Sequence, residues 1–250
     1  PQRQLTQAGV ATFTDEGAGP VTFVCVHGLP GSVRDFRWLA PVLAAGARVI
    51  RLELPGYGAC PAGHTPPTVT GFAAYVAEVI TALELSRVAL VGHSFGAMVA
   101  AAAAHRLGAQ QDLRVGLINP IGLTPHPGFK AVPQPGLWRL AHQHRLLGKL
   151  VQPAFGRLFE RAGFKGFTAA HIARTLAVLS GMRFETHRSL VTSLPAPAFV
   201  AWADDDPMVP PAITQALLAA LPPGPRLHFR GGGHNLQKHE ALPVGRALLR

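Results

Sequence analysis

The sequence is poor in cysteine, in acidic residues and in aromatic residues, and it has no long apolar run. Its only cysteines are Cys25, inside an apolar run, and Cys60, after a turn, so we expect two free thiols. No apolar stretch approaches the ~18 residues of a membrane span, and the first residues lack the apolar core of a signal peptide. These absences argue against stable membrane insertion and predict a cytoplasmic protein.

Basic residues outnumber acidic ones, 23 to 13, and give a net charge of +10. Segment 121–194 holds ten Lys and Arg against two acidic residues, a net of +8. These basic residues follow helical patterns without clusters, glycine-rich arms or stacking aromatics, so nucleic-acid binding is not expected. The charge either attracts anionic substrates, an acidic partner or a membrane surface, or it is a solvated helical face.

What the sequence does contain is a regular alternation of strand and helix patterns. Hydrophobic residues make up 48% of the chain, enough for a large core. After a predicted hairpin of edge strands at 4–14, strand patterns at 21–26, 48–54, 88–91, 113–118, 198–202 and 226–230 alternate with helix patterns at 68–85, 97–104, 211–221 and 236–249. This alternation predicts an α/β fold: a mostly parallel central sheet with helices on both faces.

The alternation breaks between residues 121 and 194. Several prolines are followed by four helix patterns without strands, at 137–151, 154–162, 168–179 and 184–194. Functional groups of such sheets gather beyond the carboxyl ends of the strands, and the insertion begins at one of those ends. We therefore predict a core domain of residues 1–120 and 195–250 with a helical lid at 121–194.

A Gly-x-Ser-x-Gly motif at 92–96 separates a strand pattern from a helix pattern. It fits a glycine-rich turn with a capping serine, and it also fits a nucleophile elbow with Ser94 at a strained apex. A second loop, His-Gly-Leu-Pro-Gly-Ser at 27–32, follows another strand pattern. Here Gly28 would let the backbone approach a substrate, and the N–H groups of Leu29 and Phe95 would hold a tetrahedral oxyanion.

Two further polar groups follow strand patterns: the carboxylates at 204–206, and His234 after three glycines. A serine hydroxyl needs an imidazole to take its proton, and a carboxylate fixes the tautomer of that imidazole. The order Ser, Asp, His at the ends of separate strands predicts a catalytic triad. Spacing does not separate Asp204, Asp205 and Asp206 as its acid.

These motifs resemble those of the α/β-hydrolase superfamily over essentially the whole chain. In similar sequences the acid stands four residues before the proline of Asp-x-x-Val-Pro, which implies Asp206 and leaves Asp204 and Asp205 as loop residues. The loop at 27–32 also resembles that of epoxide hydrolases and haloalkane dehalogenases, whose nucleophile is an aspartate. A serine at that position favours acyl transfer.

Residues and resemblance together predict a serine hydrolase without cofactor or metal, since no metal-ligand spacing is present. It would cleave a carboxylic ester, lactone or thioester through an acyl-enzyme. A C–C bond hydrolase of a vinylogous diketone and a low-turnover ligand-binding receptor are the alternatives. We expect His27, Gly28, Pro30 and His93 to contact a small-molecule substrate with an apolar acyl or alcohol part, although His93 also fits a ring that packs or hydrogen-bonds beneath the elbow. We expect the protein to be a monomer or homodimer.

Overall fold

The computed structural model of the protein describes residues 2–5, 9–108, 112–126 and 167–250. Its strands are β1 (Gln2–Gln4), β2 (Val10–Gly17), β3 (Thr22–Val26), β4 (Arg48–Leu52), β5 (Arg87–His93), β6 (Asp112–Ile118), β7 (Ala198–Ala203) and β8 (Arg226–Phe229). They form one sheet in the order β1-β2-β4-β3-β5-β6-β7-β8. The first two pairings in this order are antiparallel and all others are parallel, which confirms the predicted α/β fold.

The predicted hairpin near the start of the chain is confirmed as the antiparallel pair β1 and β2. Of the two hairpin strands, however, only β1 lies at an edge of the sheet, because β2 also pairs with β4. The sequence did not indicate this second pairing, since the partner strand lies more than thirty residues further along the chain.

The helical elements of the described residues are a 3-10 turn (Val33–Phe36), α1 (Leu39–Ala44), α2 (Val69–Ala82), α3 (Phe95–Leu107), α4 (Ala169–Ser180), α5 (Phe184–Thr192), α6 (Pro211–Ala220), α7 (Leu236–His239) and α8 (Ala241–Leu248). Successive strand residues enter opposite cores: Val24 packs with α2 and α3 on one face, and Cys25 packs with α1 and α8 on the other. The central strands therefore carry apolar residues on both faces, as expected where both faces of a parallel sheet are covered.

The predicted closing helix at 236–249 is two helices, with a break at Glu240. Pro243 explains the break, because proline has no N–H to donate to the carbonyl four residues earlier and its ring would clash with that group. The first short helix is thereby left attached to the loop that carries His234.

Within the insertion, the helices predicted at 168–179 and 184–194 are found as α4 and α5. The helices predicted at 137–151 and 154–162 lie outside the described residues. Among the helices of the described ranges, none combines the length and apolar character needed to cross a lipid bilayer.

Candidate active site

Ser94 stands between the end of β5 and the start of α3, at φ 54° and ψ −119°. A non-glycine residue in this region is strained and persists only where its surroundings enforce it. Here the Ser94 N–H donates to the carbonyl of Ile118 at 3.0 Å. A Cβ on Gly92 or Gly96 would collide with neighbouring backbone, so the tight turn requires glycine at both places. The motif therefore forms the sharp strand-to-helix elbow that the sequence predicted.

The structure brings Ser94, His234 and Asp206 together at the carboxyl edge of the sheet. Nε2 of His234 lies 2.9 Å from Oγ of Ser94, and Nδ1 of His234 lies 2.8 Å from Oδ2 of Asp206. Because an ionised carboxylate can only accept, Nδ1 of His234 donates to it, and Nε2 is left free to accept the serine proton. The three groups thus form one hydrogen-bonded chain.

Asp206 is held as a carboxylate. Burial would raise its pKa, but the hydrogen bond from His234 and the N–H groups of Val209 and Met208 favour the charged form and bring the pKa below its ordinary value. Both main-chain donors bind Oδ1, Met208 at 2.8 Å and Val209 at 3.0 Å, while Oδ2 faces the imidazole. The carboxylate is therefore fixed in orientation before any substrate binds.

The other two aspartates of the cluster have different partners. Asp204 is exposed and pairs with His228 at 2.9 Å. Asp205 accepts the N–H of Gly233 at 2.7 Å and that of Gly232 at 3.2 Å. Of the three carboxylates, only Asp206 meets His234, which agrees with the choice that the family resemblance implied.

Two buried side chains hold the loop of His234 from below. Asn119, the first residue after β6, donates from Nδ2 to the carbonyls of Gly233 (2.7 Å) and His234 (2.9 Å) and accepts the N–H of Ala203 (3.1 Å). His93 donates from Nε2 to the carbonyl of His234 at 2.7 Å. Sequence reasoning missed Asn119, whose only signal was its place at the end of a strand.

His93 was predicted to contact substrate, and the structure gives its ring a different partner. The residue is 4% exposed, and burial lowers the pKa of His93 to about 3, so the ring is neutral. With Nε2 committed to the loop of His234, the ring supports that loop, and substrate contact by His93 stays a prediction.

The sequence predicted that His27 contacts a substrate, but the structure buries its side chain fully. Nδ1 donates to the Gly28 carbonyl at 2.8 Å, and Nε2 accepts the N–H of Leu54 at 3.0 Å. Burial lowers the pKa of His27 to about 4, which keeps the ring neutral in this tautomer. His27 therefore holds the loop that follows β3.

That loop lies directly against the elbow. A Cβ added to Gly28 would be 3.3 Å from Cβ of Ser94, a distance that leaves the loop backbone beside the hydroxyl. Within the described part of the chain, the N–H groups of Leu29 and Phe95 have no hydrogen-bond acceptor. The first N–H groups of a helix have no partner inside the helix and favour negative charge, which applies to Phe95.

Ser94 and His234 open into a cavity of about 1070 Å³. Gly28, Leu29 and Pro30 line one part of it, and Phe167 and His171 from the insertion line another. A second cavity of about 340 Å³, beside the start of α2, contains neither Ser94 nor His234. The larger cavity is therefore where a substrate would meet the hydrogen-bonded chain.

Helix α4 is fastened to the loop that follows β4. Tyr57 Oη and Thr175 Oγ1 lie 3.1 Å apart, and the Arg174 guanidinium donates to the Thr65 carbonyl at 3.0 Å. The rings of His171 and Tyr57 stack with centroids 6.0 Å apart. The cavity wall supplied by α4 is thus held by directed contacts to the core.

Over the described ranges, no three His, Cys, Asp or Glu side chains come close enough to hold a metal ion. Cys25 and Cys60 are both buried and unpaired with each other, as predicted.

Comparison with known proteins places this site in context. The uncharacterized hydrolase YugF of Bacillus subtilis is 26% identical over 254 aligned positions, which cover 89% of this chain and 87% of that protein. A 2-hydroxy-6-oxononadienedioate/2-hydroxy-6-oxononatrienedioate hydrolase of Cupriavidus pinatubonensis is 27% identical, covering 98% of this chain and 96% of that one.

Solved structures agree with the fold. An esterase from Exiguobacterium antarcticum superposes with a TM-score of 0.77 at 20% identity, covering 99% of this chain and 97% of that chain. The enol-lactonase from Burkholderia xenovorans superposes with a TM-score of 0.76 at 18% identity, covering 100% of this chain and 98% of that one. Residues 23–243 match the alpha/beta hydrolase family over nearly the whole sheet and the site, and the chain belongs to that family.

Proposed function

We propose that the protein is a serine hydrolase that cleaves carboxylic esters, including lactones or thioesters, through an acyl-enzyme. One observation carries the proposal: Ser94 Oγ, His234 and Asp206 are hydrogen-bonded in sequence at 2.9 and 2.8 Å, and Ser94, His234 and Leu29 line the same cavity. A hydroxyl with an adjacent imidazole and an orienting carboxylate is what acyl transfer requires.

In the first half of the reaction, Nε2 of His234 takes the proton from Ser94 as Oγ bonds to the ester carbonyl carbon. The carbonyl electron pair moves to oxygen, and the N–H groups of Leu29 and Phe95 stabilise that oxyanion. When the carbonyl re-forms, the bond to the alcohol oxygen breaks, and the alcohol leaves with the proton from His234. Asp206 stabilises the imidazolium throughout.

In the second half, a water molecule replaces the alcohol. His234 takes a proton from the water as its oxygen attacks the acyl carbon, and the same two N–H groups hold the oxyanion. The acid product leaves as the bond to Ser94 breaks, and the proton returns from His234 to Oγ. No cofactor enters this sequence of steps.

Replacing Ser94 with Ala tests the proposal on purified protein and a panel of p-nitrophenyl esters. We expect turnover to fall at least about 10³-fold, because loss of the nucleophile removes the covalent route. Labelling by a fluorophosphonate probe should also disappear. Ser86→Ala is the matched control, since Ser86 is an exposed serine just before β5 and does not line this cavity. Turnover that survives in Ser94→Ala would overturn the proposal.

Hydrolysis of a C–C bond in a vinylogous diketone is the second candidate, and it is favoured by the name of the Cupriavidus relative and of a second hydrolase from Pseudomonas putida that is 27% identical. Incubation with a dienoate ring-cleavage product beside simple esters separates the two activities. Probe labelling without repeated turnover on either panel would instead favour the ligand-binding receptor.

We also propose that segment 121–194 is a lid over this cavity. Phe167 and His171 line the cavity beside Ser94, and the Tyr57–Thr175 contact fastens their helix to the core. A ligand buried beneath such a lid would be a small molecule with an apolar part. Exchanging Phe167 for Ala should therefore change the chain-length preference for esters more than it changes the rate on the shortest ester.

A further inference from the structure

Three basic side chains lie on the wall of the cavity that contains Ser94. Arg34 belongs to the 3-10 turn after the β3 loop, Arg37 directly follows that turn, and Lys238 belongs to α7. Helix α7 packs against this turn. Cations from two neighbouring elements therefore meet at one part of the wall, and all three side chains are exposed to solvent.

These cations differ from three arginines of the sheet. Arg48, Arg51 and Arg87 each form a salt bridge with an acidic side chain. In the ranges that the structure describes, no carboxylate lies within salt-bridge distance of Arg34, Arg37 or Lys238.

Arg37 is held in place without being neutralised. Its Nη1 donates to the Arg34 carbonyl at 2.8 Å, and its guanidinium lies 5.5 Å from the ring centroid of Trp38. Because both contacts fix the side chain and neither brings a negative charge, the guanidinium keeps its charge for another group.

Two carboxyl groups on the same wall offset only part of this charge. Asp205, whose oxygens accept main-chain N–H groups of the His234 loop, offsets one of the three positive charges. Burial raises the pKa of Asp35 to about 7, so it carries only part of a negative charge near neutral pH. The cavity wall therefore has an excess of positive charge.

We propose that Arg34, Arg37 and Lys238 form a subsite for a carboxylate of the substrate, so that the preferred ester is an anion. The proposal rests on the serine hydrolase function and names its substrate class. A carboxylate is the group that two guanidinium groups and an ammonium group recognise best among the parts of a small ester.

Matched ester pairs test the subsite. One pair is mono-p-nitrophenyl glutarate and its neutral methyl ester, which differ only in a carboxylate on the acyl part. The other is 4-carboxyphenyl butyrate and its methyl ester, which places the charge on the leaving group. We expect at least one pair to show about a tenfold preference in kcat/KM for the anion, falling as ionic strength rises from about 0.01 M to about 1 M.

Replacing Arg34, Arg37 and Lys238 with Gln should each lower the preference about twofold, and the triple variant should abolish it. Arg87→Gln is the control, because Arg87 is exposed at the start of β5 and pairs with Asp112. Unchanged preference in the triple variant would overturn the subsite while neutral esters are still hydrolysed through Ser94. Hydrolysis that persists in Ser94→Ala would overturn the serine mechanism instead.

We also infer that Asp205 is a positioning residue for His234. Its carboxylate accepts the N–H groups of the two residues that precede His234, at 3.2 Å from Gly232 and 2.7 Å from Gly233. Both glycines have positive φ, 130° and 60°, and neither has a side chain to hold the loop. Asp205 therefore links the loop that carries Asp206 to the loop that carries His234.

Comparison of Asp205→Asn with Asp204→Asn tests this role, since the two aspartates are adjacent and both exposed. An amide can accept from one glycine but presents a donor to the other, so the loop loses a contact. We expect kcat to fall about tenfold in Asp205→Asn with KM within twofold, because the imidazole is displaced and the cavity is not. Asp204→Asn should keep wild-type kcat.

The rate of inactivation by a fluorophosphonate should fall with kcat, since it also depends on the activated Ser94. Thermal unfolding of both variants separates positioning from stability. Equal kcat in the two variants, or a loss of kcat in Asp205→Asn that matches its unfolded fraction at the assay temperature, would overturn the positioning role.

Discussion

The loop after β3 and the loop after β8 both face Ser94, but they are held in different ways. One buried side chain of the first loop, His27, binds the Gly28 carbonyl within the loop and the Leu54 N–H beneath it. The second loop has no such residue. Its position depends on side chains from three other elements: Asn119, His93 and Asp205.

This difference has a consequence for robustness. In the first loop, His27 holds the Gly28 end beside Ser94 and Asp35 accepts a main-chain N–H at the Ser32 end, so loss of His27 frees the end nearest the hydroxyl. The second loop, held by several separate residues, loses its geometry in steps. In the proposed mechanism the loop after β3 supplies a main-chain donor that only a proline substitution would delete, so the residue that holds the loop is the sensitive point. The loop after β8 supplies the side chain of His234, and Asn119, His93 and Asp205 together hold this loop in position.

Among variants of the residues that support these two loops, the largest effect should come from His27→Ala. Loss of the ring leaves the Leu54 N–H buried without an acceptor and frees the Gly28 carbonyl, so we expect kcat/KM to fall about 10²-fold and the free energy of unfolding to drop by about 2–4 kcal/mol. Ester kinetics and urea unfolding measure the two losses. His64 is an exposed histidine of the loop after β4, so His64→Ala should change neither kcat/KM nor the free energy of unfolding. A similar loss in His64→Ala would contradict the specific role of His27.

A smaller effect is expected from Asn119→Asp. Aspartate keeps an oxygen for the Ala203 N–H and tolerates the φ of 39° at this position, but it cannot donate to the carbonyls of Gly233 and His234. We expect kcat to fall about tenfold, because His93 and Asp205 still hold the loop. Steady-state kinetics of the variant would measure this fall in kcat, with the KM of the wild-type protein as the reference. Wild-type kcat would mean that the two donor bonds do not position His234.

The smallest effect at neutral pH, and a growing one in acid, concerns the two buried histidines that support these loops. Folded pKa values of about 4 for His27 and about 3 for His93 lie below the ordinary value of 6.5. The unfolded chain therefore binds more protons, and stability should fall as pH drops from about 6.5 to about 4, by up to ~1.4 kcal/mol per pH unit for each histidine.

Urea unfolding at several pH values across this range measures the slope. His93→Gln should reduce the slope by removing one of the buried histidines whose pKa is lowered, with a lower stability at pH 7. A slope that is unchanged in this variant would contradict the assignment of the acid sensitivity to His93.

Much of the sheet was predictable because its signals are local. The apolar run from Val21 to Val26 and the turn chemistry around Ser94 depend on neighbours within a few residues, and both were identified correctly. Pro243 was equally visible, yet the helix pattern on both sides of it predicted one helix where there are two.

The supports of the site were not predictable in the same way. Asn119 meets its partners 84 to 115 residues away along the chain, and His93 meets the carbonyl of His234 across 141 residues. No local pattern marks such a pairing, because only the strand order decides which strand ends meet. His27 was assigned to the substrate for the same reason: its partner Leu54 lies on another strand end.

Helix α3 is buried from Phe95 to Ala104, and most of that length is alanine. Alanine methyl groups make up most of the contact between the helix that follows Ser94 and its neighbours α2 and the sheet, together with Phe95, Met98 and Val99, so the depth of Ser94 in the molecule depends largely on small side chains. A valine at position 101 or 103 would have no gap to fill and would push the helix outward. Variants of this kind should remain folded while the hydroxyl drifts from its imidazole, so activity would be lost well before stability.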